Sequence, residues 1–218
     1  MSVVMPCELD HLVIGARSLE EGRVFIGDLF GVLPQDGGKH PKMGTHNVLL
    51  GLDARTYLEV IAIDPEGDAP EWPRWFSLDD QATQRALEDG PQLLTWVVRT
   101  HAISRLASLA AYEGAEVRHM SRGHLNWQFA FSADGRRLAG GVLPHVIQWQ
   151  GEVHPADHMA SSGCRLAALG GRSSDFQRIN ATIAQMNLQA VLTCEASEFA
   201  HFGLQAEFET PNGIVLLQ

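Results

Sequence analysis

The feature that most constrains this 218-residue chain is an internal repeat. Leu9-Asp10-His11-Leu12-Val13-Ile14 has the apolar, β-branched character of a short strand. Ser18 and Glu21 stand at capping-box spacing. Leu19, Phe25, Ile26, Leu29 and Phe30 then recur on a helical stripe that Gly31 ends. Three strands are expected next: near Val32–Pro34, over His46–Leu52 and over Tyr57–Ile63. The same βαβββ order returns with a strand over Leu94–Val98 and a helix capped by Thr100, carrying Ile103, Leu106 and Ala110 and closed by Gly114. Its strands are expected at Glu116–Met120, Trp127–Ser132 and Val142–Trp149. A third, shorter copy starts at Arg165–Leu169 and continues through a helix bearing Phe176, Ile179, Ile183 and Met186. It ends in strands near Ala190–Thr193, Leu204–Glu209 and Ile214–Leu217. The first two copies run in register, since the interval from His11 to Glu59 is one residue shorter than that from Trp96 to His145. Such units bury their apolar faces by stacking on one another.

The fold class that follows is α+β, with modules at residues 1–64, 92–150 and 164–218. Residues 65–91 and 151–163 read as connectors; the first holds Pro65, Pro70 and Pro73 with Trp72, Trp75 and Phe76, and is aromatic enough to cover something. A net charge of −10 argues against non-specific nucleic-acid binding. No apolar run approaches the ~18 residues of a membrane span. Three cysteines, odd in number and without a CxxC pair, fit a reduced cytoplasmic setting; Cys7 and Cys194 read as small core residues, and Cys164 stands in the third copy where His11 stands in the first. GxSxG, P-loop and GxGxxG signatures are missing, which removes the common hydrolase, nucleotidase and dinucleotide-binding signals. Ten histidines are the odd feature.

Position sorts those histidines. Side chains alternate along a strand, so Tyr57, Glu59, Ile61 and Ile63 share one face. A carboxylate in that apolar row must be paired, protonated or bound to metal. His11 is the lone basic group of its own apolar strand, and together the two make half of a divalent metal site. A single strand histidine is more often a hydrogen-bonded core residue, and HExxH is missing. If Val48 lies opposite Glu59, His46 shares that face as a rival ligand. His40, Thr45, His46 and Asn47 surround Pro41 and Gly44 in a loop entering a strand, a setting for substrate contact; local turn bonding by Asn47 is the plainer alternative. Arg122, near Trp127, suits an anionic or carbonyl-bearing ligand, with Trp75 and Trp72 as covering residues; a surface salt bridge and core packing are the competing fates. His154 and His158 have zinc-binding helical spacing, but Pro155 and the connector setting argue against a helix there.

Three stretches carry a wider resemblance: Leu9-Asp10-His11-Leu12-Val13, Gly38 through Asn47 with its GTHN end, and Tyr57-Leu58-Glu59-Val60-Ile61-Ala62. With Arg74-Trp75-Phe76, Ser121-Arg122, Leu143-Pro144, Trp149 and His154-Pro155, the chain resembles the glyoxalase-like domain family of the vicinal oxygen chelate (glyoxalase/bleomycin resistance/extradiol dioxygenase) superfamily. The resemblance implies paired βαβββ modules in a curved mixed sheet around a pocket, with helices outside. It also implies metal ligands on the first and last strands of a module, here His11 and Glu59. In the second copy Trp96 stands at the His11 position and cannot ligate, whereas His145 stands at the Glu59 position and can. The expected metal set is therefore His11, Glu59 and His145, holding zinc, iron, manganese or nickel. Glu59 and His46 are the expected catalytic residues, and His40, Thr45, Asn47, Arg122, Trp127 and Trp75 the substrate contacts. The expected function is metal-assisted isomerase, lyase or dioxygenase chemistry on a small molecule with vicinal oxygens. The alternative is a metal-free protein of the same fold that binds or sequesters a small molecule. Neither nucleic acid nor membrane is an expected partner. The third module's open sheet edge calls for packing on the same chain or a homodimer contact.

Overall fold

The computed structural model describes residues 5–53, 55–197 and 203–218. The first module runs β1 (Glu8–Gly15), α1 (Leu19–Phe30), β2 (Gln35–His40), β3 (Thr45–Gly51) and β4 (Tyr57–Ile63). Ser18 caps α1 by accepting the Glu21 amide, and Gly31 closes it in the left-handed conformation, φ 72°. After α2 (Gln81–Glu88), the second module runs β5 (Gln92–Arg99), α3 (Ile103–Leu106), β6 (Glu116–Arg122), β7 (Leu125–Phe131) and β8 (His145–Gln150). One eight-stranded sheet holds both modules in the order β2-β3-β4-β1-β5-β8-β7-β6. Within each module the first and last strands are parallel neighbours, and the modules join along antiparallel β1 and β5. The edge strands β2 and β6 come into contact, so the sheet curls towards closure.

Strand alternation divides the core. Leu12, Ile14, Leu58, Val60, Trp96 and Val98 pack on the helix side with Ile26 and Phe30. Val13, Ile61, Val97 and Phe129 face the concave side, where Trp75 and Phe76 of the first connector lie against them. That connector is thus a strap across the concave face. The turn between β7 and β8 clamps it: the Ser77 amide donates to the Gly135 carbonyl at 2.9 Å, and a Cβ on Gly135 would stand 2.1 Å from the Arg74 carbonyl oxygen. Phe76 and Ser77 both sit at positive φ, 59° and 60°, a cost this clamp must offset.

Four boundaries differ from expectation. Val32–Pro34 belongs to no strand; the strand begins at Gln35, where Gln-Asp-Gly-Gly-Lys-His has no apolar alternation and takes its conformation from pairing with β3. The second helix stops at Leu106, and Ala110 begins a separate 3-10 turn. β8 starts at His145 rather than Val142, because Leu138–Gly141 forms a 3-10 turn with Ala139 and Gly140 at positive φ. The first connector contains α2, which proline content obscures.

The third unit has the expected element order, β9 (Arg165–Ser173), α4 (Phe176–Gln185), β10 (Leu192–Ala196), β11 (Gly203–Thr210) and β12 (Gly213–Leu217). Its topology is its own. The four strands form a separate sheet ordered β10-β9-β11-β12, in which β9 pairs in parallel with the strand directly after its helix. This sheet packs on the same chain, over the helix side of the large sheet, through contacts such as Phe208 on Phe30 with ring centres 5.1 Å apart. Cys7, Cys164 and Cys194 are free thiols buried in that core. Among the described residues, no helix is long and apolar enough to cross a membrane.

Candidate functional site

A bulge in β1 shapes the site. Leu9 pairs with Val98 and His11 with Val97, so Asp10 is an extra residue in the ladder. The bulge sets the Asp10 carboxylate beside the His11 ring, and Nδ1 of His11 donates to Asp10 Oδ1 at 2.7 Å. The other ring nitrogen, Nε2, faces Glu59 Oε2 on the neighbouring strand β4 at 3.5 Å. Tyr57, paired with His11, stacks on its ring at 4.6 Å between centres.

Asp10 is fully buried and its second oxygen is also taken. Trp149 Nε1 donates to Oδ2 at 2.9 Å, and His154 Nε2 donates to the same oxygen at 3.0 Å. The Ala156 amide donates to His154 Nδ1, which fixes the tautomer with its proton on Nε2. Burial alone would raise the Asp10 pKa, but the bonds from His11 and His154 hold the group well below the usual carboxylate range.

Glu59 behaves alike. Burial pushes it up, yet His11, His40 and the Asn47 amide bring it down to about 2. His11 is pushed down by burial and raised past that by Asp10 and Glu59, to about 9. At neutral pH the centre is therefore an imidazolium between two carboxylates. Such a group is stable in an apolar setting only while every member is satisfied.

Above Glu59 lies a polar arc from β2, β3 and β6. Asn47 donates to Glu59 Oε1 and accepts from Arg122 Nη1 at 2.9 Å. Arg122 Nη1 also donates to His40 Nε2 at 3.2 Å, which leaves the His40 Nδ1 proton for Thr45 Oγ1 at 3.2 Å. Burial lowers the His40 pKa to about 4, in keeping with a neutral ring that accepts from a guanidinium. Trp75, Phe76, Trp127, Phe129 and Trp149 wall the remaining cavity, about 30 Å3, room for roughly one water. The structure thus brings together His11, Glu59, His40, Asn47, Arg122, Trp75 and Trp127, with Thr45 one bond away.

A family model described as a glyoxalase-like domain matches residues 9–186. The chain belongs to that glyoxalase-like family. The glyoxalase-like chain also has structural neighbours. A hypothetical protein from Staphylococcus aureus superposes with a TM-score of 0.58 at 16% identity, covering 97% of this chain and 84% of that one. That likeness shows a shared fold along nearly the whole chain. Methylmalonyl-CoA epimerase from Mycobacterium tuberculosis gives a TM-score of 0.43 at 14% identity, over 70% of this chain and 93% of its own. The Streptomyces coelicolor methylmalonyl-CoA epimerase in complex with 2-nitronate-propionyl-CoA gives 0.43 at 14%, over 69% and 97%. Among curated proteins none matches the sequence.

Two expected members of the site are not brought to it in this glyoxalase-like protein. Leu49, not Val48, lies opposite Glu59, so Asn47 shares the Glu59 face and His46 points to the other. A one-residue change of register exchanges every side chain between faces. His46 stands instead 4.0 Å from Asp64. His145 does occupy the register position of Glu59, since Val97 pairs with it as Val13 pairs with Glu59. Two residues earlier stands Thr95, so the counterpart of His11 is Thr95 and not Trp96, which faces the helix side and donates to the Val142 carbonyl. His145 is shut behind aromatic rings, stacked on Phe129 at 5.7 Å and met edge-on by Phe76 at 5.1 Å. Among the described residues neither of its ring nitrogens meets a partner at hydrogen-bond geometry, although the Ala130 backbone works against the lowering of its pKa. Burial lowers its pKa to about 3.

The donor set argues against the expected metal. Among the described residues, no three of His, Cys, Asp and Glu are grouped so as to hold an ion. His11 and Glu59 offer two ligand atoms, both Asp10 oxygens are engaged, and Glu59 is linked through the Asn47 amide to the Arg122 guanidinium. These residues do not fit a divalent cation.

Asp10, Trp149 and His154 were missed as site residues. A buried aspartate beside the strand histidine was the available signal for Asp10. For His154 the i, i+4 partner His158 was a distraction, because the group it meets is on β1.

Proposed function

We propose that the protein is a small-molecule enzyme that moves a proton at a carbon next to a carbonyl, using Glu59 and His11 as its acid–base pair. The observation that supports this is the buried Asp10–His11–Glu59 chain opening onto an aromatic cavity beside Arg122. The contact between His11 and Glu59 is longer than a good hydrogen bond, so a substrate group reaching them from the adjoining cavity can displace it. A substrate entering there takes the imidazolium away from Glu59, and burial then raises the carboxylate towards a useful basicity. Glu59 removes the proton, the Arg122 guanidinium holds the enolate oxygen or a neighbouring carboxylate, and His11 returns a proton from Nε2. Asp10 keeps the imidazole turned for that transfer, as a carboxylate does behind a catalytic histidine. Of the reactions the resemblance implies, isomerisation is the one these groups perform by themselves.

Solvent exchange tests this reading. Small 2-oxo acids and malonate half-thioesters in D2O are expected to take up deuterium at the acidic carbon with the wild-type chain, before and after dialysis against EDTA. Glu59→Gln should slow the exchange by roughly 10²–10⁴-fold. Exchange lost to EDTA and restored by a divalent ion would overturn the metal-free assignment. The aromatic box favours one rival, a binding protein for planar anions. Tryptophan quenching by the same compounds without any exchange would select it.

A further inference from the structure

A second and much larger cavity, about 670 Å3, shares no lining residue with the Glu59 cavity and lies at the junction of the two sheets. Its walls come from α2 and β5 on one side and from β9 and β11 on the other, with the turn after β7 between them. The volume is in the range of small-molecule sites. Arg137 lines it and is mostly buried. Its guanidinium donates once, from Nη2 to Thr83 Oγ1 at 3.3 Å, and its buried Nε has no partner. Among the described residues no carboxylate lies within salt-bridge distance of it, and Asp80 acts on it only from further away. A buried guanidinium is ordinarily matched by an anion, and here none of the described residues supplies one within salt-bridge distance.

The opposite wall carries Arg172 and, beside it on β10, Glu195. Arg172 projects from β9 and has one loose, exposed ion pair, to Glu195 at 3.6 Å, which leaves donors free. Thr193 and Gln205 add neutral hydrogen-bonding groups between the arginines' elements. The Arg137 main chain is tied to the strap, its amide donating to Ser77 Oγ at 3.0 Å, and its side chain to α2 through the bond to Thr83.

We propose that this junction cavity is a binding site for a small oxyanion, a carboxylate or a phosphate monoester, with Arg137 as its bidentate anchor and Arg172 at its rim. The site is separate from the Glu59 cavity and does not depend on the reading given for it. Calorimetric titration of the full chain at low salt, with inorganic phosphate in one series and malonate in another, tests the assignment and tells the two oxyanions apart. One site per chain is expected. Arg137→Gln should weaken binding about tenfold or more, as loss of a paired guanidinium contact does. Arg172→Glu, an exposed change that leaves the core intact, should weaken it by repulsion, whereas Arg122→Gln should leave it unaltered. The proposal fails if neither anion binds at millimolar concentration. It also fails if affinity survives Arg172→Glu, or if Arg122→Gln abolishes it.

Discussion

Glu59 and His145 hold the same register position in two modules of one sheet, and they have opposite fates. Both are ionisable and both are nearly inaccessible to solvent. Glu59 is met by His11 on one oxygen and by Asn47 on the other, within a chain of partners that extends to Asp10 and Arg122. His145 has Phe76 and Phe129 around it and, among the described residues, no hydrogen bond to either ring nitrogen. The first remains charged because its neighbours satisfy it; the second remains neutral because burial allows nothing else. Equivalent positions in a repeat therefore do not imply equivalent chemistry. What the facing strands supply decides the matter.

The comparison can be broken first at Asp10, where the largest effect is expected. Asp10→Asn keeps the shape but weakens the charge that holds His11 upright and meets His154, and should reduce turnover by about 10²–10⁴-fold with a smaller change in KM. Equal losses from Asp10→Asn and from a distant core substitution of similar stability cost would remove Asp10 from the site.

A smaller and opposite effect is expected on the other side. His145→Leu is close in volume and removes two unsatisfied nitrogens, so stability should rise by about 1–3 kcal/mol in denaturant titrations at neutral pH, with activity unchanged. The gain should grow on acidification. An unfolded histidine takes a proton near pH 6.5 while buried His145 waits until about 3, so the wild type loses stability as pH falls through that window. A loss on substitution would assign the ring a bonded, stabilising role instead.

The subtlest test concerns His11, whose shift has the other sign. Its folded pKa, about 9, exceeds the unfolded 6.5, so its contribution is complete below 6.5 and fades as pH rises to 9. His11→Gln should flatten the alkaline fall in stability over that range. An alkaline slope the same in both proteins would assign it elsewhere.

Much of this was legible in the sequence. Apolar alternation and the Ser18–Gly31 caps mark the first module because they are local, and the recurring βαβββ order marks the second although the Trp96 match behind its interval was one residue off. β2 was not legible, since its glycine-rich residues form a strand only against β3. The face assignments failed by one residue twice, at His46 and at Trp96, because register depends on pairing and bulges that a linear string does not display. The topology of the third sheet was hidden for the same reason. Glu59, His11, Asn47 and Arg122 could be chosen by residue type, but Asp10 needed the bulge and His154 needed the fold.

Asp10 also ties together parts of the chain that are far apart in sequence. Its bond from Trp149 closes an interval of 139 residues, and that from His154 closes 144. Closing such intervals costs chain entropy that local helices and hairpins do not incur, and contacts of this kind form late. Secondary structure should therefore return early in refolding, while the Glu59 centre is completed only after both modules and the second connector have docked. Recovered activity is then a clock for the last step of assembly, and circular dichroism for the first.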